Sequence, residues 1–210
     1  MIASLVVLAA YLVGCTPTSY LAGRWTRGID LRQHGSGNLG STNTFRVLGA
    51  KIAAPVMVVD VLKGFLPTAL FPMWDDQIGW LWALAYGAAA IIGHVFSVYT
   101  GFKGGKGVAT ATGVFLALAP KAVLPAFIVW LAVLGIWRMV SLASLTAAAT
   151  LILVLVLTES RLPVLLLGIS VALFVVYAHR TNIRRIARGE EYRFGKARVA
   201  AESAAGEEAP

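Results

Sequence analysis

The segment Met139–Thr158, MVSLASLTAAATLILVLVLT, indicates the fold class most clearly, because it contains no charged residue over its whole length. A helix needs about 20 predominantly apolar residues to cross the hydrocarbon core of a bilayer. Similar apolar stretches flank it, Ala122–Trp137 before and Leu162–Ala178 after. The sequence therefore predicts an all-α, polytopic integral membrane protein.

The composition of the whole chain agrees with that prediction. Of its 210 residues, 58% are hydrophobic and 13% are charged, whereas a soluble domain carries about 25% charged residues. The net charge of +8 would suggest nucleic acid in a soluble protein. Here the charges lie between apolar stretches, so membrane lipids and topology explain them, and no nucleic-acid partner is expected.

The apolar pattern of the whole chain predicts about seven transmembrane helices. They are Ile2–Ala22, Ile52–Trp74, Gly79–Tyr99, Val108–Ala119, Ala122–Trp137, Met139–Thr158 and Leu162–Ala178. The fourth is the weakest prediction, because it is short and bracketed by Gly107 and Pro120. Residues 1–198 are expected to form a single transmembrane domain, and the Ala/Glu-rich residues 199–210 a disordered tail.

The basic residues predict the orientation. With the N-terminus outside and the C-terminus in the cytoplasm, 15 of the 18 Lys and Arg residues fall in inner segments. Only Lys121 and Arg161 fall outside, and Lys63 lies within a span. An excess of positive charge on the cytoplasmic side is the usual signature of topology.

Two glycine-rich segments on the predicted cytoplasmic side have the composition of anion sites. The first is Gly35–Asn43, GSGNLGSTN, followed by Arg46; the second is Gly101–Thr110, GFKGGKGVAT, preceded by His94. Glycines let backbone N–H groups turn towards an anion, and an arginine can hold a phosphate bidentately. The alternatives are a flexible polar loop for the first segment and a basic inner loop for the second.

Two further groups of polar residues interrupt the apolar pattern. In HRTNIRR after the last span, His179 and Asn182 are three residues apart and would share one face of a continuing helix. Asp60 and Lys63 have the same spacing inside the second span. Ionisable residues within a membrane are candidates for function, and pairing within the helix and contact with substrate both remain open for these two.

Four stretches, in order, resemble the signature regions of the acyl-phosphate-dependent glycerol-3-phosphate acyltransferases (PlsY-type). They are GSGNLGSTNTFRVLG at 35–49, DVLKGFLP at 60–67, GHVFSVYTGFKGGKGVAT at 93–110 and HRTNIRRIARGEE at 179–191. One departure is Ser41, where that family more often has alanine. The resemblance implies transfer of a fatty acyl group from acyl phosphate to the 1-position hydroxyl of glycerol 3-phosphate, the first step of bacterial phospholipid synthesis. The products are lysophosphatidic acid and inorganic phosphate.

The resemblance also implies roles for particular residues. The catalytic set is Ser36, Arg46, Lys106, His179 and Asn182. The glycine-rich segments and the pair within the second span, by their own chemistry, give the set expected to bind substrate phosphate: Gly35, Gly37, Asn38, Gly40, Thr42, Asn43, Lys63, His94, Lys103, Gly104, Gly105 and Gly107. Neither a cofactor nor a metal is expected. The expected location is the bacterial plasma membrane with the active site facing the cytoplasm, and the enzyme that produces acyl phosphate is an expected partner.

Two rival functions are considered from the residues. Acyltransferases that use thioester donors carry a His-x-x-x-x-Asp pair, but the residues at that spacing from His34, His94 and His179 are leucine, tyrosine and arginine. A transporter of phosphate or organic phosphate would place its helix interruptions near the middle of the membrane, whereas these glycine segments lie at one face. The sequence leaves the catalytic base open between His179 and the acceptor's own phosphate.

Overall fold

The computed structural model describes residues 2–73, 80–159 and 161–194, and these residues form an all-α protein. The predicted tail at 199–210 lies outside the described residues. The helices are α1 (Ile2–Cys15), α2 (Thr18–Arg27), α3 (Ser41–Leu48), α4 (Ala50–Leu70), α5 (Trp80–Val95), α6 (Val108–Leu118), α7 (Pro120–Trp137), α8 (Val140–Thr158), α9 (Leu162–Ala178) and α10 (Arg180–Ala187). Short 3₁₀ turns lie at Leu31–Gln33, Phe71–Met73 and Val98–Thr100.

By length and composition the described helices give five or six candidate spans, where the sequence predicts about seven. Within the described ranges, five helical segments are long and apolar enough to cross a membrane: Ala3–Arg27, Ala50–Met73, Trp80–Thr100, Pro120–Trp137 and Val140–Thr158. A sixth is formed if α9 and α10, bent by 57° at His179, are one broken span. The predicted fourth span is the short helix α6, whose 11 residues extend only about 16 Å.

The first predicted span is interrupted between α1 and α2. Pro17 has no N–H to continue the helical ladder, and the carbonyls at the break accept hydrogen bonds from side chains of other elements. The Ser97 hydroxyl donates to Cys15 O at 2.6 Å, and Lys63 Nζ donates to Thr16 O at 2.9 Å. Side chains from two other elements therefore stabilise the break.

Small residues allow the central helices to approach closely. A Cβ at Gly64 of α4 would collide with the Thr110 carbonyl of α6, and one at Gly113 would collide with the Val61 carbonyl of α4. Backbone contact through small residues is a common way for membrane helices to associate. The fully buried Val114 and Phe115 then place α6 in the main hydrophobic core.

The segments that connect the helices lie at two opposite ends of the bundle. At one end, Arg161 between α8 and α9 donates to Leu118 O at the end of α6, at 2.6 Å, and its guanidinium lies 5.7 Å from the centre of the Trp80 ring. At the other end, Phe194 N donates to Arg138 O at 2.9 Å. The glycine-rich segments and the α9–α10 junction meet at this second end.

Candidate active site

A cavity of about 860 Å³ joins the polar end of the bundle to its apolar interior. At the polar end it is lined by Ser36, Arg46, Lys106, His179 and Asn182. The apolar end is lined by side chains of α6 to α9: Phe115, Val123, Ala126, Phe127, Trp130, Ala147, Ala148, Leu151 and Val171. The five predicted catalytic residues, separated by up to 146 positions in sequence, thus border one space.

Asn43 holds the first glycine-rich segment in shape. Its side-chain oxygen accepts from Ser36 N at 2.8 Å, and its side-chain nitrogen donates to His34 O at 3.0 Å and to Leu31 O at 3.2 Å. Gly35 has a φ of 62°, and a Cβ there would collide with the Asn43 side chain. Asn43 therefore stabilises the conformation of this loop and also lines the cavity.

The end of this segment is helical rather than an open loop. The helix α3 begins at Ser41, and Gly40, Ser41 and Thr42 line the cavity. The first N–H groups of a helix have no intrahelical acceptor and favour an anion. The same helix carries Arg46 on the cavity wall.

The Arg46 guanidinium is held by an aromatic face. Its central carbon lies 4.4 Å from the centre of the Tyr192 ring. Among the described residues no protein group accepts a hydrogen bond from this guanidinium. Its N–H groups are therefore free for a ligand in the cavity.

Lys106 belongs to a chain of charge-assisted hydrogen bonds. Its ammonium donates to Asn182 Oδ1, and Asn182 Nδ2 donates to Glu191 Oε1 at 2.7 Å. The same oxygen accepts from Ser141 Oγ at 2.8 Å, and Glu191 Oε2 accepts from Arg185 Nε at 2.8 Å. This chain connects the glycine-rich loop, α8, α10 and the segment that follows α10.

Burial and neighbouring charges shift the pKa values of both ends of this chain. Burial, reinforced by nearby arginines and opposed by Glu191, lowers the pKa of Lys106 to about 8. Burial alone would raise the pKa of Glu191, but hydrogen bonds from Arg185, Asn182 and Ser141 outweigh it, so the pKa is lowered. Glu191 is therefore an anion at neutral pH, whereas Lys106 loses its proton in the mildly alkaline range.

His179 lies at the bend between α9 and α10 with a defined tautomer. Its Nδ1 is 2.8 Å from Val175 O, and a carbonyl oxygen can only accept, so Nδ1 carries the proton. In the neutral ring Nε2 then has a free lone pair. The bend does not separate His179 from Asn182, since both are buried and both line the cavity.

The second glycine-rich segment packs against the end of α5. Gly104 N donates to Val95 O at 3.0 Å, and Gly105 N donates to His94 O at 3.1 Å. A Cβ at either glycine would collide with His94. These two N–H groups are therefore occupied and cannot be anion donors, and the glycines serve the close packing that places Lys106.

Asp60 and Lys63 form a buried ion pair at 2.7 Å between Lys63 Nζ and Asp60 Oδ1. Thr18 Oγ1 donates to the same carboxylate oxygen at 2.6 Å, and His94 Nδ1 lies 3.7 Å from it. Asp60 and His94 border the cavity, whereas Lys63 faces the α1–α2 break. The pair connects α4 to the interrupted first span.

The predicted binding residues divide between the cavity wall and its support. The cavity is lined by Asn38, Gly40, Thr42, Asn43, His94 and Gly107. The residues away from its wall are Gly35, Gly37, Lys63, Lys103, Gly104 and Gly105. Lys103 is exposed on the surface.

Sequence reasoning missed Ser141, Glu191 and Tyr192. Ser141 looks like an ordinary polar residue at the start of an apolar span, and Glu191 and Tyr192 follow a basic stretch with no periodic pattern. The only signal was that HRTNIRRIARGEE, the fourth signature stretch, ends at Glu191. The contacts of all three depend on how the chain folds back after α10.

Comparison with known proteins gives a family match over nearly the whole chain. A family model described as glycerol-3-phosphate acyltransferase matches residues 4–189. A glycerol-3-phosphate acyltransferase of Synechococcus elongatus is 42% identical over 198 residues, covering 91% of this chain and 94% of its own. One of Geobacillus kaustophilus is 44% identical over 183 residues, covering 87% and 91%.

Two solved structures share the fold. One is a crystal structure of PlsY (YgiH), an integral membrane glycerol 3-phosphate acyltransferase, in its glycerol 3-phosphate form. It has a TM-score of 0.87 and 40% identity, covering 95% of this chain and 99% of that one. The lysophosphatidic acid form of that enzyme gives a TM-score of 0.83 and 38% identity, covering 94% and 97%. At these values the match extends to the whole arrangement of helices.

Proposed function

Because the chain belongs to the glycerol-3-phosphate acyltransferase family, we propose that it transfers a fatty acyl group from acyl phosphate to the 1-position hydroxyl of glycerol 3-phosphate. The protein is a multi-pass integral membrane acyltransferase of phospholipid synthesis, and its product is lysophosphatidic acid. The observation that carries the proposal is one cavity with a cationic polar end and an apolar end between membrane helices. Such a space fits a substrate pair that is phosphate at one end and lipid at the other.

The polar end supplies donors for phosphate. Arg46 offers free N–H groups beside the N-terminus of α3, and Lys106 offers an ammonium anchored on Asn182. Charge-assisted hydrogen bonds of this kind are shorter and about twice as strong as neutral ones. Both substrates of the proposed reaction carry phosphate, and both cationic residues border the same space.

The apolar end suits the acyl chain. On α8 the lining residues run from Val140 to Leu151, a stretch that corresponds to about 17 Å of helix. Small side chains at Ala126, Ala147 and Ala148 keep the apolar end of the cavity wide. In its wall, Trp130 Nε1 donates to Ser144 Oγ at 3.4 Å. An acyl group placed here has its carbonyl near the cationic end.

The reaction proceeds by direct attack. The 1-position hydroxyl oxygen forms a bond to the acyl carbonyl carbon, the bond from that carbon to the phosphate oxygen breaks, and phosphate leaves with the electron pair. Two groups can take the hydroxyl proton: His179 Nε2, which has a free lone pair, and the acceptor's own phosphate. Arg46 and Lys106 stabilise the charge on the leaving phosphate.

An acyl-enzyme on Ser36 is disfavoured by its surroundings. In the part of the chain that the structure describes, neither histidine nor carboxylate is hydrogen-bonded to the Ser36 hydroxyl. The nearest histidine in sequence, His34, is exposed, and its Nδ1 is 2.9 Å from Asp30 O. A serine nucleophile needs an adjacent, oriented base, so Ser36 is better placed as a donor to substrate.

Two measurements on purified protein test the proposal. Acyl phosphate and glycerol 3-phosphate should give lysophosphatidic acid and inorganic phosphate in equal amounts, and an acyl thioester in place of acyl phosphate should give none. Product from the thioester alone would contradict the proposed donor. Proteoliposomes that accumulate glycerol 3-phosphate without forming product would indicate a transporter.

The direct mechanism has its own test. Enzyme incubated with labelled acyl phosphate and no acceptor should acquire no covalent label, and double-reciprocal plots for the two substrates should intersect. A labelled adduct that transfers to added glycerol 3-phosphate, and that is lost in Ser36→Ala, would overturn direct transfer.

A further inference from the structure

The segment Glu191–Phe194, here called the strap, folds back from α10 across the polar end of the cavity. Glu191 accepts hydrogen bonds from Ser141, Asn182 and Arg185. At its other end Phe194 N donates to Arg138 O at 2.9 Å. Both ends of the strap are therefore fixed to the bundle, one on α8 and α10 and the other at Arg138, directly after α7.

Aromatic rings also fix the strap to α3. The Phe194 ring meets the Phe45 ring edge-on, with 4.3 Å between their centres, and the Tyr192 and Phe194 rings lie 6.0 Å apart. Phe45 precedes Arg46 in α3. The strap thus touches the arginine and its neighbour at once.

The contact between Tyr192 and Arg46 fixes the guanidinium while leaving its N–H groups unused. The guanidinium carbon lies 4.4 Å from the ring centre, within the 6 Å range of a cation–π contact. A ring can attract a guanidinium through its face, whereas the N–H donors lie in the guanidinium plane. Tyr192 therefore restricts Arg46 without competing with a phosphate for its donors.

We propose that Tyr192 is a positioning residue that holds the Arg46 guanidinium ready for substrate phosphate. This inference rests on the proposed function, in which Arg46 binds a phosphate of one of the two substrates. A free arginine side chain loses rotational entropy when it is ordered. A guanidinium already held by the strap avoids part of that loss when phosphate binds.

The test compares substrate KM values for wild type, Tyr192→Leu and Tyr192→Phe. Tyr192→Leu should raise the KM of one substrate by roughly 3- to 30-fold, the factor that corresponds to a cation–π contact, with a smaller change in kcat. Tyr192→Phe keeps the ring and should restore most of that affinity. The substrate whose KM rises, acyl phosphate or glycerol 3-phosphate, is the one whose phosphate Arg46 holds.

A matched control is Tyr20, whose ring centre lies 5.7 Å from the guanidinium carbon of Arg24 and 5.3 Å from that of Arg32, all three away from the cavity wall. Tyr20→Leu removes an aromatic partner of arginine of the same type and should leave both KM values unchanged. The double variant Tyr192→Leu/Arg46→Ala should bind both substrates no more weakly than Arg46→Ala, measured by thermal shift of the purified protein.

Failure of the positioning role can be distinguished from failure of the proposed function. An active wild-type enzyme with wild-type KM values in Tyr192→Leu overturns the positioning role. Equal loss of affinity in Tyr192→Phe and Tyr192→Leu overturns it as well, because the ring would not be the part that matters. A wild-type protein that forms no lysophosphatidic acid would instead contradict the proposed function.

Discussion

At the scale of single residues, the polar end of the cavity is built from side chains that restrain one another. Asn182 accepts from Lys106 and donates to Glu191, and Glu191 also binds Ser141 and Arg185. The cationic residues were predictable, because lysine among glycines and arginine after a polar loop are unusual in an apolar chain. Their supports were not, since a serine or glutamate that binds another side chain looks ordinary in sequence.

The pKa of Lys106 predicts an alkaline limit to activity. Burial lowers that pKa to about 8, so the ammonium, and with it a phosphate contact, is lost as pH rises through that value. We expect activity to fall above about pH 8, and Lys106→Ala to have little activity at any pH. The measurement is kcat/KM against pH.

The control for this prediction is Lys106→Arg. A guanidinium stays charged throughout the range, so the alkaline fall should disappear even if the maximum rate is lower. An unchanged alkaline fall in Lys106→Arg would assign it to another group.

The Asp60–Lys63 pair predicts a loss of stability rather than a specific loss of chemistry. Asp60→Asn removes the charge that balances buried Lys63, and leaving one partner of a buried pair uncompensated costs roughly 3–5 kcal/mol. The melting temperature of the detergent-solubilised protein should fall. The double variant Asp60→Asn/Lys63→Met, which leaves no charge, should recover part of the loss, and lost activity with unchanged melting would place Asp60 in the site.

At the scale of elements, the apolar pattern located the helices but not their breaks or lengths. The first span is divided at Pro17, and Ser41–Leu48 is helical where the sequence looked like a loop. Hydropathy reports the composition of a segment, whereas these features depend on partners from elsewhere, such as Lys63 on Thr16 O. The short helix α6 was recognised as the weakest span because its flanking glycine and proline are local signals.

The apolar end of the cavity, between α6 and α9, predicts that a larger side chain on α8 shifts the enzyme's preference towards shorter acyl chains. Ala147 lines the apolar end of the cavity, and a large side chain there would fill it. In Ala147→Trp we expect kcat/KM for palmitoyl phosphate to fall by roughly ten-fold relative to octanoyl phosphate, a factor within the usual cost of overpacking. Leu153→Trp is the matched control, because Leu153 lies on the same helix and is exposed on its outer surface. Equal changes for both donors in Ala147→Trp would contradict the assignment of the apolar end to the acyl chain.

At the scale of the whole molecule, all the polar segments that carry the site meet at one end of the bundle. Arg138, Lys106, Ser36 and the strap lie there, and Arg161 with Trp80 marks the other end. The sequence predicted this grouping through the positive residues. We propose that the end with the site faces the cytoplasm.

Labelling with an impermeant thiol reagent tests this orientation on whole cells. Single cysteines at the exposed positions Gln33, Lys103 and Arg188 should react only after the membrane is permeabilised. A cysteine at the exposed Lys121 should react in intact cells, and the native Cys15 is buried and should stay silent. Labelling of the first three positions from outside would invert the topology.

The short helix α6 has a consequence for the energetics of the membrane itself. Its 11 residues cover about 16 Å of a hydrocarbon core about 30 Å thick. Its far end lies beside Arg161 and Trp80, and with those two residues at one membrane surface its near end, with Lys106, would be recessed from the other. In the proposed orientation, a phosphate dianion that reaches Lys106 from a negative interior moves to a less negative potential, and crossing about a quarter of 100 mV would lower its free energy by about 1 kcal/mol. We therefore expect the affinity of the enzyme for its soluble substrate to rise with membrane potential.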